Sequence, residues 1–175
     1  MWFWYPSTNI AGKPKAPYVD QLDALAPSLS SDEVSLARSV ATNAVMNATL
    51  VSSPTRLPVL VFSPGSGSLP ALYTSFMEDL ASHGYVVAAL DHPYDDVAFR
   101  LSDGRIIKEA TKPSGGEELL QYQRERVNVR AEDVRFVLDQ LSRIEQGEFD
   151  TPFRGRLDLA RIGVFGHSTG GMTGP

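Results

Sequence analysis

The sequence predicts an α/β fold of three layers, with a mostly parallel central sheet between two layers of helix. Three observations predict it. The runs at 57–62, 85–90 and 161–165 are apolar at almost every position, as in strands buried on both faces of a parallel sheet. Segments with helical apolar spacing lie between them, which gives the strand-helix-strand order of a right-handed parallel crossover. The third run passes straight into Gly166-His167-Ser168-Thr169-Gly170, a Gly-x-Ser-x-Gly turn of the kind that carries a strand into a helix. With 175 residues, 42% of them hydrophobic, the chain is long enough for one domain with a real core. Residues 1–56 read as its N-terminal strand, loop and helix, and 57–175 as the core up to the serine turn, where the fold is truncated.

Each element has its own signal. Residues 1–5 read as an aromatic strand that Pro6 ends. Pro6, Gly12, Pro14 and Pro17 make 6–20 an extended loop. Ser30 or Ser31 caps a helix over about 32–47, with Val34, Ala37, Ala41 and Val45 on one face. Pro54 and Pro58 flank the entry to the first buried strand, 57–62, and the glycine-rich turn Ser63-Pro64-Gly65-Ser66-Gly67-Ser68 follows it. Leu72, Phe76 and Leu80 then recur at helical spacing with Tyr73 and Met77 beside them, and Gly84 closes that helix as a left-handed cap. The second buried strand, 85–90, ends at Asp91-His92-Pro93. Val97–Leu101 and Arg105–Lys108 flank Ser102-Asp103-Gly104, a hairpin signal. A helix is expected over about 117–146, with a break near 123–127. Its apolar stripe runs through Val127, Ala131, Val134, Val137 or Leu138, and Leu141, and Gly147 ends it. Pro152 and Gly155 mark the link to the third strand.

Composition narrows the function. A formal net charge of −5 leaves no basic footprint, which argues against nucleic acid and anionic membranes as partners. There are no cysteines, so disulfides and thiolate metal sites are excluded. No apolar run approaches the roughly 18 residues needed to span a bilayer. The aromatic start lacks the basic and apolar regions of a signal peptide, and reads as a strand entered partway. Asn47-Ala48-Thr49 is a glycosylation sequon, relevant only in a secretory pathway.

The chemistry centres on Ser168. Gly-x-Ser-x-Gly after a buried strand resembles the nucleophile elbow of α/β-hydrolases, which lifts a serine hydroxyl out of the sheet. The oxyanion hole of such a site takes one backbone N–H from the residue after the serine, here Thr169, and one from the turn after an earlier strand. Ser66 is the second expected donor, because glycines on either side let the backbone approach a substrate oxygen. Of three histidines, His167 reads as a packing or hydrogen-bonding residue and His83 as a helix-end dipole partner. His92, with Asp91, lies at the carboxyl end of a strand and is expected to line the pocket. Tyr94, Asp95 and Asp96 read as closing a loop, and no metal spacing is evident. The acid and histidine of this fold's triad follow the serine, and only a few residues follow it here. The triad Asp and His are therefore expected to be absent. The 175-residue chain as given is expected to fold poorly and turn over little, with strand 161–165 unpaired on one side. A non-catalytic remnant and an acyltransferase on the same elbow stay open as alternatives.

Three segments together resemble the platelet-activating factor acetylhydrolase family of the plasma and intracellular type II kind. They are Trp4-Tyr5-Pro6, then PVLVFSPGSG at 58–67 with LYTSFMEDLASHGYVVAALDHPYD at 72–95, then RAEDVRFVLDQL at 130–141 leading into RIGVFGHSTGG at 161–171. The resemblance implies an α/β-hydrolase fold and a calcium-independent serine esterase. Its substrate would be a small-molecule ester or phospholipid, with a short or oxidised acyl chain leaving the sn-2 position through an acyl-enzyme. It implies no cofactor, Ser168 as nucleophile, and Ser66 and Thr169 as oxyanion donors. The family usually carries a bulky residue where Thr169 stands and His-Gly where Pro64-Gly65 stands. Microbial relatives with such changes resemble broader esterases or polyester hydrolases.

Overall fold

The computed structural model describes residues 1–173 apart from Gln21 and Ser102. In chain order its strands are β1 (Trp2–Trp4), β2 (Ser7–Thr8), β3 (Thr49–Leu50), β4 (Leu57–Ser63), β5 (Val86–Ala89), β6 (Ala98–Arg100), β7 (Ile106–Lys108) and β8 (Leu157–Gly166). The helices are α1 (Leu22–Leu25), α2 (Ser31–Ser39), α3 (Thr74–Ser82) and α4 (Gly116–Gln146). The central sheet has the order β1-β5-β4-β8. β4 runs parallel to both β5 and β8, and β1 adds antiparallel to β5.

The two-residue alternation of a strand sorts the core into two layers. Val59 and Val61 of β4, with Val86 and Ala88 of β5, meet Val134, Val137, Leu141 and Ile144 of α4. Phe62, Val87 and Ala89 face the other way, with Leu60 beside them, and pack on Met77 and Tyr73. Strand β1 follows the same rule, Phe3 on the α4 side and Trp4 on the α3 side. The three-layer α/β fold expected from the sequence is the observed one. Two short antiparallel pairs, β2–β3 and β6–β7, lie outside the sheet. The second is the expected hairpin, with Gly104 at φ 91; Ser102 lies outside the described residues.

Four local expectations are corrected. Helix α2 stops at Ser39, not near 47. Residues 42–44 are tied instead to other parts of the fold: Asn43 and Ala44 donate their N–H groups to the Glu78 carboxylate, and Thr42 donates to Ala16 O. The capping residue is Ser30, whose hydroxyl accepts from Glu33 N while the Glu33 carboxylate accepts from Ser30 N. Helix α3 is entered through a 3-10 turn, Pro70–Tyr73, which sets its phase. Thr74, Met77 and Ala81 are buried while Leu72 and Phe76 stay 58% and 49% exposed. Helix α4 runs unbroken through 123–127, where Gln121 bonds Glu125 and Arg126 lies over the Tyr122 ring, both at the four-residue spacing that supports an exposed helix. Strand β8 begins at Leu157 rather than 161. Its register with β4 shifts between the pairs Pro58–Asp158 and Val59–Ile162, so residues 159–161 bulge from the ladder.

Candidate active site

Strand β8 ends at Gly166, and a 3-10 turn, Ser168–Met172, begins two residues later. The reversal puts Ser168 at φ 52, a left-handed conformation that a non-glycine residue adopts only where its surroundings impose it. Those surroundings are backbone. His167 N donates to Ser63 O at 3.2 Å and Gly170 N to His167 O at 2.9 Å. A Cβ on Gly170 would overlap the carbonyl oxygens of Ser63 and Pro64, and one on Gly166 would overlap Gly170. The elbow is thus pressed onto the end of β4 with room for glycine only. Ser168 is exposed, and among the described residues its hydroxyl has no hydrogen-bond partner. Thr169 precedes the first bond of the 3-10 turn, where helix N–H groups lack an intrahelical acceptor.

The turn after β4 has spent most of its donors. Gly65 N donates to Tyr73 Oη at 3.2 Å, Gly67 N to Asp95 O at 2.8 Å and Ser68 N to Gly65 O at 3.2 Å. Among the described residues the N–H of Ser66 has no such partner, and Ser66 is exposed. Lys112 and Glu109 form an ion pair at the rim, with Lys112 Nζ 3.5 Å from Ser66 Oγ.

Beneath this turn lies a buried polar network that the sequence reading missed. Arg130 of α4 is the largest fully buried side chain among the described residues. It pairs with Asp95 through Nε and donates from Nη1 to Pro64 O at 2.5 Å. The second Asp95 oxygen accepts from Ser66 Oγ at 3.0 Å. Beside it His92 joins Ser63 Oγ through Nε2 at 2.9 Å and Asp133 through Nδ1 at 2.7 Å. Asp133 as a carboxylate can only accept, which places a proton on Nδ1. Ser63-His92-Asp133 has the connectivity of a hydrolytic triad, but Ser63 is 0% exposed, so no substrate reaches it. The available signal was Arg130 itself, four residues before Val134 on the apolar stripe of α4. A charge at a core position calls for a buried partner.

One guanidinium here faces two buried carboxylates. Burial pushes the Asp96 carboxyl from 3.8 up to about 8, its bond from His92 N and the Arg130 charge working against the rise and Asp91 and Asp95 adding to it. The folded state therefore keeps a proton that the unfolded chain releases. Stability from this group is full below about pH 4 and is lost as pH rises toward about 8. Asp96→Asn should flatten that slope, which for one proton is at most about 1.4 kcal/mol per pH unit. Urea midpoints from pH 5 to 8 measure it, and parallel pH dependences of parent and variant would contradict it.

The expected pocket residues separate. His92 is 1% exposed with both ring nitrogens engaged, so it belongs to the core network and does not line an open pocket. Asp91 binds the N-terminal ammonium and Trp2 Nε1 and lines a cavity of about 580 Å³ beside β1. Neither Ser66 nor Ser168 borders that cavity, so its volume does not mark the chemistry. His83 caps its own helix end through Asp79 O, and His167 Nδ1 lies 3.0 Å from Tyr73 Oη. Among the described residues no histidine is bonded to Ser168. Asp95 and Asp96 both close the 92–96 loop, Asp95 N donating to His92 O at 3.1 Å and the Asp96 carboxylate accepting from His92 N at 2.6 Å, and the Asp95 side chain is further committed to Arg130 and Ser66.

A mostly parallel sheet between helices, with a serine in left-handed conformation at the strand-to-helix turn, defines a fold of the α/β-hydrolase type. The family model of platelet-activating factor acetylhydrolase, isoform II, matches residues 13–174, and the chain belongs to that family. A probable 1-alkyl-2-acetylglycerophosphocholine esterase of Arthroderma benhamiae is 31% identical over 115 residues, covering 66% of this chain and 26% of the relative. The platelet-activating factor acetylhydrolase of Canis lupus familiaris is 30% identical over 137 residues, 67% of this chain and 31% of its own. A ferulic acid esterase from Streptomyces cinnamoneus superposes with a TM-score of 0.73 at 36% identity, over 98% of this chain and 45% of its own. The chain thus spans about a third or less of the length of these two curated relatives. Among the described residues no helix is long and apolar enough to cross a membrane.

Proposed function

We propose that the site hydrolyses carboxylic esters through a covalent acyl-serine. One observation carries the reading: an exposed serine held at φ 52 where β8, a half-buried parallel strand at the end of the sheet order rather than the fully buried strand expected from the sequence, turns into a 3-10 helix. The neighbouring turn also keeps an N–H free. In this mechanism the Ser168 oxygen adds to the ester carbonyl carbon as a base takes its proton. The carbonyl oxygen becomes an oxyanion held by the N–H groups of Ser66 and Thr169. The alcohol leaves with a proton, and water then releases the acid and restores the serine. The reading requires a base at the Ser168 hydroxyl, and no described residue is bonded to it.

The named activities of the family relatives support a short acyl group on a phospholipid as substrate. The esterase from Streptomyces cinnamoneus supports a second reading, esters of hydroxycinnamic acids. A rate series on nitrophenyl esters from acetate to palmitate, with an acetyl phospholipid and methyl ferulate alongside, separates them. The expected maximum is at acetate or propionate. A maximum at palmitate would point to a lipase and overturn the short-chain reading. A methyl ferulate rate above that of both acetyl substrates would favour the second.

A further inference from the structure

We propose that Arg130 is a positioning residue for the oxyanion turn: its guanidinium, anchored on Asp95, holds Pro64–Gly67 in the form that leaves the Ser66 N–H free. This rests on the esterase reading of the site. Both ends of the turn close on one ion pair. Arg130 Nη1 holds Pro64 O at 2.5 Å. The Asp95 side chain takes the Ser66 hydroxyl at 3.0 Å, and the Asp95 main-chain oxygen takes Gly67 N–H at 2.8 Å. Arg130 and Asp95 are themselves 1% and 2% exposed.

A buried ion pair is a weak source of net stability. What this one supplies is geometry. The turn has glycine at 65 and 67 and an exposed serine between them, so its own residues do little to fix its shape. An oxyanion donor must sit within about 2.7–3.1 Å of the charge that develops, with no rearrangement at the moment of reaction. A planar fork grips a carboxylate and a carbonyl in one fixed geometry, which the rotatable donors of an ammonium on a flexible stem do not impose. A lysine at 130 keeps the charge for Asp95 but cannot also hold Pro64 O in that fork.

The test compares a full-length form of the protein with Arg130→Lys and with the double variant Arg130→Met plus Asp95→Asn, read well below pH 8, where Asp96, raised to about 8, is protonated and the variant leaves no unpaired buried charge. Amide hydrogen exchange of Gly65, Gly67 and Ser68, whose N–H groups are bonded in the turn, is read beside that of α3 and β5. In both variants exchange of the turn should rise by about tenfold or more with α3 and β5 unchanged. Ester kcat should fall by about 10²-fold while KM moves little, as for loss of one oxyanion donor. Should the double variant not fold, Arg130→Lys decides alone. Turn exchange equal to the parent's, or a change spread evenly over α3 and β5, would overturn the positioning role. A parent without esterase activity would sink the functional reading instead, and the exchange data would still decide the role of Arg130 in holding the turn.

Discussion

Replacing Ser168 by alanine in a full-length form of the protein is expected to lower ester turnover by about four orders of magnitude or more, as removal of a triad serine does elsewhere. The size follows from what the substitution takes away. The hydroxyl is the atom that forms the covalent bond, and the oxyanion donors alone retain only a residual rate over water. No neighbouring serine can replace it. Ser63 is fully buried against His92, and the Ser66 hydroxyl is donated to Asp95. Alanine removes one oxygen from an exposed position, so folding should be unaffected, and a melting curve run in parallel separates chemistry from structure. Turnover of nitrophenyl acetate near the parent's would remove Ser168 from the mechanism.

Gly170→Ala should be the most damaging small substitution in the elbow. The added methyl would overlap two carbonyl oxygens, Ser63 O and Pro64 O, which are backbone and cannot rotate away. Relief requires separating the elbow from the end of β4, which also breaks the bond from His167 N to Ser63 O. A loss of about 3 kcal/mol or more is expected, the upper end of overpacking costs. In a domain of this size that is a fall of about 6–12 °C in melting temperature. Gly171→Ala is the matched comparison, since its Cβ would meet only the Gly166 carbonyl, with O at 3.3 Å and C at 3.7 Å. It should melt within a few degrees of the parent, at about 1 kcal/mol or less. Equal melting temperatures for the two would show that the elbow is not clamped as described.

The fold could be read from the sequence where one residue type repeats for one reason. Val59, Val61, Val86 and Ala88 are apolar because both sheet faces are covered, and they announce buried strands without help from the rest of the chain. Phase and length were harder. Leu72 and Phe76 have the right spacing for a core stripe but are exposed, because the 3-10 turn before Thr74 rotates the helix onto Met77 and Ala81. Beyond the end of α2, residues 43 and 44 are held by Glu78, which reaches them from a different helix. The same distinction holds at the site. Its elbow is five consecutive residues and announces itself. The support beneath the neighbouring turn comes from Arg130 on a helix, with Asp95 on a loop and Pro64 in the turn 35 and 66 residues from it along the chain. Such a set has no local pattern, and only the misfit of an arginine among valines hints at it.

The bulge in β8 has a consequence for how freely this chain can vary in length. Side chains alternate along a strand, so one residue added or lost between Ile162 and Gly166 would send every later side chain to the opposite sheet face. The serine turn would then leave the strand in the wrong phase. Residues 159–161 stand out of the ladder, with Asp158 pairing before them and Ile162 after. A change of length there alters the size of the bulge and leaves the five pairs from Val59–Ile162 to Ser63–Gly166 in step. The bulge acts as a slack loop in the line. The stretch between Asp158 and Ile162 can lengthen or shorten while the end that presents Ser168 keeps its orientation.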